Sequence, residues 1–597
     1  MKGIAARPPV HASINAALRA AAEHGCGVSF VDMKEIEETI SWRQIRQRAL
    51  HVAAALRDAG VLAGDRVALV LPTGPSFLDA FFGATLAGAV PIPLAPPPRL
   101  GRLDEYHAAT ARMIRVAGAR MVLTDARGLP LLERTLAASE PDLGCRIVAT
   151  LLGFPGELDH PSAPDQIAVI QYSSGSTVDP KPVALTHANL MAQLASIEQM
   201  LPDGRDRAER TGVSWLPMHH DMGLIGCLLG GVYQAIPLVL IPPELFLARP
   251  ALWLRAISRH RATASAAPSF AYALCSKRIK DADLQGVDLS SWRFALNGAE
   301  PVSVGVLDQF AARFAGWGFA PHALMPVYGM AEASLAVTFA PSGKPARWLG
   351  VDPVRLAKNG IAVDGARRLA SVGFAMPGVE VVVRDGDGED LGDRRTGRIR
   401  VRGPSVMVGY FNDPGATREV LSEGWLDTGD LGFVADGELY VCGRAKDVVI
   451  IRGANHAPQE FEECLDALPG VRHGCAVAVG FIPGEGDARN ADTEELLILA
   501  ERASTPSSPL VLSLSLTHEI RTAILERTGV RAHTVCVLAQ GTLPRTTSGK
   551  LRRAEALRRF QAGELSAPRT VSKQRVAGAV FRSTLNLANS SGILDVG

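Results

Sequence analysis

The chain has 597 residues, too many for one hydrophobic core, so several domains are expected. Its 62 Lys and Arg nearly balance 61 Asp and Glu, and the resulting net charge of +1 excludes a global electrostatic case for nucleic-acid binding or for a membrane-surface protein. The 8 cysteines form no CxxC pair and the 14 histidines carry no metal-ligand spacing, which reads as reduced thiols in a cytoplasmic protein.

The amino-terminus lacks a basic start followed by an apolar run, so no signal peptide is expected. Residues 40–150 alternate period 3.6 with short apolar runs: a helix from Trp42 to Ala59, a strand from Arg66 to Leu71, a helix from Ser76 to Ala89 and a strand from Val90 to Leu94. This β–α–β rhythm recurs to about residue 335 and predicts a parallel sheet covered by helices. The uncharged run from Met222 to Pro243 has the length of a membrane span, but Gly230, Gly231, Gln234 and Pro237 interrupt it. A buried helix followed by a buried strand is predicted there, and no transmembrane segment. From Val372 to Tyr440, short β-rich runs with Gly and Asp turns predict a small antiparallel unit. An α+β segment follows Lys446 and ends near Phe560, and the rest, with weak periodicity, reads as a tail. No attachment site for a phosphopantetheine arm is present, so no fused carrier domain is expected.

Two motifs carry chemistry. Tyr172-Ser173-Ser174-Gly175-Ser176-Thr177-Val178-Asp179-Pro180-Lys181 is a loop of small hydroxyl and glycine residues ending in a lysine. Its backbone N–H groups can form an anion nest, its hydroxyls add donors, and Lys181 adds a point charge, which suits a polyphosphate. Far downstream, Leu543-Pro544-Arg545-Thr546-Thr547-Ser548-Gly549-Lys550 sets a lysine on a Gly-containing turn that can move with its domain. Together they predict ATP held by one domain and a cation delivered by another.

With Tyr328-Gly329-Met330-Ala331-Glu332, Trp425-Leu426-Asp427-Thr428-Gly429-Asp430 and Gly443-Arg444-Ala445-Lys446-Asp447, these motifs make the chain resemble the adenylate-forming superfamily from about Ile40 to Arg559. The resemblance implies an α/β fold. A large N-terminal domain of stacked α/β subdomains with a small β-rich subdomain would span residues 1–445. A small mobile α+β domain with the catalytic lysine would span 446–561, and a flexible tail 562–597. It also implies roles. Ser173, Ser174, Gly175, Ser176, Thr177 and Lys181 match the phosphate loop, although Val178 and Pro182 stand where that pattern has glycine. Glu332 matches the acid that helps place Mg²⁺. Asn297, Gly298 and Ala299, in Asn297-Gly298-Ala299-Glu300-Pro301, match one face of the adenine site, and Tyr328 and Gly329 the other. Asp430 and Arg444 match the ribose contacts, Lys446 the hinge, and Lys550 the cation that meets the carboxylate and the α-phosphate.

Trp215-Leu216-Pro217-Met218-His219-His220-Asp221 and Arg452-Gly453-Ala454-Asn455-His456 are similar to the fatty acyl-AMP ligase branch. There His220 and Asp221 lie near the acyl entrance, with His220 a candidate catalytic residue or half of a core pair. About forty residues separate Glu332 from Ser371-Val372-Gly373, similar to the insertion of that branch, here about 340–370. In that branch it restrains the rotation that thioester formation with CoA requires; the alternative is a plain surface loop. Residues 222–241 and 266–275 are small or apolar and uncharged, which fits an alkyl chain. The expected activity is activation of a fatty acid by ATP and Mg²⁺ to an acyl-adenylate, for transfer to the phosphopantetheine thiol of a separate acyl carrier protein. A fatty acyl-CoA synthetase, or an inactive scaffold with the same fold, are the alternatives.

Overall fold

The computed structural model describes residues 1–32, 34–98, 103–173, 180–202, 209–451, 453–466, 468–482, 494–503, 509–545 and 550–565. The predicted phosphate-loop residues Ser174, Gly175, Ser176 and Thr177 lie outside the described residues, as does most of the predicted tail.

The β–α–β rhythm is realised as the sequence predicts. The helix Trp42–Asp58 starts at Ser41, whose hydroxyl accepts from Gln44 N while the Gln44 side chain accepts from Ser41 N, so two amides that the helix leaves open are satisfied. Ile45, Ala49, Val52, Ala53 and Leu56 form its buried stripe. The strands Val90–Leu94, Arg66–Val70, Ala119–Thr124 and Cys145–Ile147 form an all-parallel sheet. Its central strands are buried on both faces, which is why they read as unbroken apolar runs.

A larger sheet of nine strands has a parallel middle: Leu324–Gly329, Phe294–Asn297, Ala264–Ala267, Gly212–Ser214, Leu238–Leu240 and Gly27–Val31 are neighbours in that order. The run Met222–Pro243 is a π-helix over Met222–Leu229, an α-helix over Gly230–Gln234 and a strand over Leu238–Leu240 inside this sheet. Among the described residues, no helix is long and apolar enough to cross a membrane. Beyond the sheet, Trp253 packs edge-to-face on Tyr272 and Trp292, and Tyr272 edge-to-face on Phe310, in a second core.

The β-rich unit is an antiparallel sheet of Glu380–Arg384, Gly397–Arg402, Trp425–Ala435, Leu421–Ser422 and Glu438–Arg444. The insertion is not a loose loop. Its strands Trp348–Val351 and Arg367–Ala370 pair antiparallel, and between them the helix Pro353–Asn359 is capped by Asp352, which accepts from Val354 N at 2.9 Å. Val351, Ala362 and Leu369 pack on Phe433, Ala435 and Tyr440 of the β-rich sheet, so deleting 348–352 would open a core.

After Val449 the chain builds separate cores. Phe461, Leu465, Ile498, Ile520 and Ile524 fill one. The other lies under the terminal helix Arg553–Gln561, where Ala556, Leu557 and Phe560 meet Val477, Val479, Leu497 and Leu499.

Candidate active site

The parallel strands of the large sheet end together, and their carboxyl ends open onto a cleft of about 2750 Å³. Ligands of open α/β sheets bind at such ends. Ser173, Lys181, Ala299, Tyr328, Gly329, Glu332, Asp430, Arg444 and Lys550 all line it, so residues spread over most of the chain converge there.

Phosphate-loop side first. Ser173 and Lys181 close the base of a hairpin: Ser173 N donates to the Lys181 carbonyl at 2.9 Å, and Lys181 N donates to Ser173 Oγ at 3.1 Å. Pro182 fits because it opens the strand Pro182–Thr186 opposite Tyr172, beside the Ser173–Lys181 bond, where the pairing asks no N–H of it. Lys181 Nζ stands 3.2 Å from Asp413 Oδ2, an acid that also caps the helix Pro414–Val420. Sequence reasoning missed Asp413, although Asn412-Asp413-Pro414 is a helix-start signature.

On the adenine side, the strand Phe294–Asn297 delivers a tight turn. A Cβ on Gly298 would lie 2.7 Å from Val327 Cγ2 and 2.8 Å from the Val327 carbonyl, and Ala299 follows at a left-handed φ of 67°. Asn297 does not reach the cleft. It is fully buried, its Nδ2 donates to the Ala267 carbonyl at 3.1 Å, and its Oδ1 accepts from Ser269 Oγ at 3.2 Å. It ties strand ends together, and Gly298 likewise stands behind the lining. Gly329 lets two backbones touch, since a Cβ there would fall 1.7 Å from the Leu335 carbonyl oxygen.

Asp430 is buried and doubly held: Tyr328 Oη donates to its Oδ2 at 2.7 Å and Arg444 Nε approaches Oδ1 at 3.2 Å. Burial raises its carboxyl pKa, and the charge of Arg444 opposes that. Glu332 is buried as well, and Tyr410 Oη donates to its Oε1 at 3.0 Å. Burial raises the Glu332 pKa, and the Tyr410 hydroxyl pulls it back. Tyr410 carried no sequence signal; it arrives through the pairing of Gly409–Tyr410 with Pro182–Thr186.

Among the described residues, no cluster of three or more His, Cys, Asp or Glu could hold a metal. One buried carboxylate at Glu332 fits Mg²⁺, which keeps most of its ligands as water and phosphate oxygens. Replacing Tyr410 by Phe tests that electrostatic arrangement. Losing the hydroxyl raises the Glu332 pKa further, and a metal needs the ionised form. The acid limb of the rate–pH profile should therefore move to higher pH. An unmoved acid limb in a Tyr410→Phe enzyme would separate Glu332 from the profile.

Lys550 reaches the cleft from the other side of the chain. Burial lowers its pKa, the carboxylates of Asp221 and Glu300 oppose the shift, and the charge of Arg444 adds to the lowering more than Asp430 counters it. Glu300 accepts from Phe270 N at 2.8 Å, and Asp221 Oδ1 accepts from Met222 N at 2.8 Å. The sequence reading gave Glu300 no role and placed Asp221 only near the acyl entrance, although both sit inside motifs it singled out. His220 is different. Its ring meets His219 at 4.6 Å and stays off the cleft lining, while burial holds its pKa well below the ordinary value, so it is neutral. Asp221 beside it lines the cleft and His220 does not, although both feel the charge of Lys550.

This arrangement of an α/β fold around one large cleft, lined from both its N-terminal and its C-terminal parts, defines a class, and the comparisons agree with it. The pattern of the AMP-binding enzyme family matches residues 18–411, and the chain belongs to that family. It is 36% identical over 566 residues to a Caulobacter vibrioides protein provisionally named an acyl-CoA synthetase, covering 92% of this chain and 96% of that one. It is 34% identical over 564 residues to the medium-chain-fatty-acid–[acyl-carrier-protein] ligase JamA of Moorena producens, covering 90% and 92%. A solved structure from a study of fatty acyl-adenylate ligases of E. coli and L. pneumophila superposes with a TM-score of 0.86 at 35% identity, covering 93% of this chain and 99% of that chain.

Proposed function

We propose that the chain activates a fatty acid with ATP, forming an acyl-adenylate and pyrophosphate, and passes the acyl group to the phosphopantetheine thiol of a separate acyl carrier protein. The observation that carries this reading is Lys550, which stands in the cleft facing Asp221, Glu300 and Asp430. A carboxylate and a triphosphate repel each other, so their union needs a cation where charge builds in the transition state. Lys550 supplies it. Asp430, steadied by Tyr328 and Arg444, accepts hydrogen bonds from the ribose hydroxyls. Glu332 would hold Mg²⁺, whose charge offsets the phosphates, and Lys181 would leave Asp413 for them. Gly226, Gly230, Gly231, Ile197, Leu238 and Ala266 line the apolar part of the cleft, where an alkyl chain gains affinity by burial. The reading divides the protein into a body of residues 1–445 and a part of 446–561 that turns about Lys446. Pyrophosphate release from ATP and a panel of fatty acids tests the first half-reaction; no release with any of them would leave the scaffold reading.

The acceptor is the finer question. In the insertion, Arg367 stands 3.9 Å from both Glu460 and Glu463 of the helix Pro458–Leu465, which belongs to the turning part. This contact supports a ligase whose carboxy-terminal part is restrained from the CoA-using orientation. Arg367→Ala should leave acyl-adenylate formation within a few-fold and increase conversion to acyl-CoA over the wild type. Unchanged CoA use in that variant would remove Arg367 from the restraint.

A further inference from the structure

We propose that Glu105 and Arg559 form a positioning pair that holds Lys550 in its adenylate-forming place and must open before acyl transfer. The inference rests on the two-step reading above. Arg559 lies in the terminal helix Arg553–Gln561, and Glu105 in the first turn of the helix Leu103–Val116, at the other end of the chain. Arg559 Nη2 donates to Glu105 Oε2 at 2.9 Å. The arginine side chain is only 5% exposed, and its Nε is also held by Glu555, so one charged partner travels with the helix and the other belongs to the body.

The helix has a bolt at its other end. Arg553 donates to Glu462 Oε2 at 2.6 Å and to Asp447 Oδ2 at 3.2 Å, next to Lys446. Lys550 precedes this helix by three residues, and Arg552 N, at the helix start, donates to the Pro544 carbonyl at 3.0 Å. The terminal helix is therefore a rigid arm: Arg553 fixes it to the turning part, and Arg559 fixes it to the body. If residues after Lys446 turn for transfer, Arg553 keeps its partners and Arg559 keeps Glu555, but Glu105 is left behind. A pair made in one orientation and absent from the other biases the equilibrium between them.

Glu105 is the position to change, because it is half exposed and Arg559 retains Glu555. Glu105→Gln should slow single-turnover acyl-adenylate formation about two- to fivefold, the range of a partly exposed ion pair, at unchanged KM for ATP and unchanged thermal midpoint. It should also speed hydrogen–deuterium exchange across Arg553–Gln561, a readout that does not depend on the chemistry. Glu105→Asp should restore most of both. The probes are ATP, Mg²⁺ and dodecanoate. Wild-type rate and wild-type exchange in Glu105→Gln would overturn the pair. Faster exchange with a normal rate would overturn its role in placing Lys550. A wild-type enzyme that makes no acyl-adenylate from any acid would instead refute the function, and the exchange result would still decide whether the contact docks the helix.

Discussion

Lys550→Ala is expected to slow acyl-adenylate formation about a hundred- to a thousandfold while ATP affinity stays within a few-fold, the loss typical of removing one preorganised donor from a developing anion. The asymmetry follows from where the ammonium stands. It stands in the same cleft as Asp221, Glu300, Asp430 and Arg444, whose charges act on it. Before substrate binds, those carboxylates hold its charge in a buried place that would otherwise favour the neutral amine. Its attraction to the substrates grows as the pentavalent centre forms, so its removal raises the barrier more than the dissociation constant. Quench-flow measurement of acyl-AMP, with ATP binding measured by calorimetry, separates the two. A variant that still adenylates near the wild-type rate would deny Lys550 the role.

Asp430→Asn should produce the opposite split: the KM for ATP rising about tenfold to a hundredfold, with kcat falling less, as for hydrogen bonds to a charged group. The substitution keeps the volume and lets Tyr328 Oη donate to an amide oxygen, but it leaves Arg444 beside a neutral group. A ribose diol then meets one acceptor and one amide where it met two carboxylate oxygens. The contact is made in the ground state and in the transition state alike, hence the effect on KM. An unchanged KM would remove Asp430 from the nucleotide site.

The sequence made the local architecture readable where periodicity speaks plainly. The stripe of Trp42–Asp58 and the apolar runs of the parallel strands gave elements within a few residues of those observed. The glycine-interrupted run after Met222 was readable for the same reason, although its first turns are π-helical. The charged and aromatic lining residues Tyr328, Glu332, Asp430, Arg444 and Lys550 were readable as motifs, because each sits in a short, unusual context. What stayed hidden was set by pairing between residues far apart in the chain. Asp413 meets Lys181 across 232 positions and Tyr410 meets Glu332 across 78, and no local pattern encodes either. Two motif residues stand behind the lining. Asn297 spends its amide on neighbouring strand ends, and His220 turns to His219 while Asp221 takes the cleft. A motif marks a turn as important without saying which of its side chains points at the ligand. The insertion was legible as extra length, but its folded core with Phe433 and Tyr440 was not.

The most direct test of the function combines purified protein, ATP, Mg²⁺ and a panel of fatty acids, first with CoA and then with a phosphopantetheinylated acyl carrier protein, read by mass spectrometry. The expected result is acyl-AMP that persists in the presence of CoA and is consumed when the carrier is added, with acyl-carrier thioester appearing in its place. Stoichiometric conversion to acyl-CoA would contradict it and make the protein a synthetase.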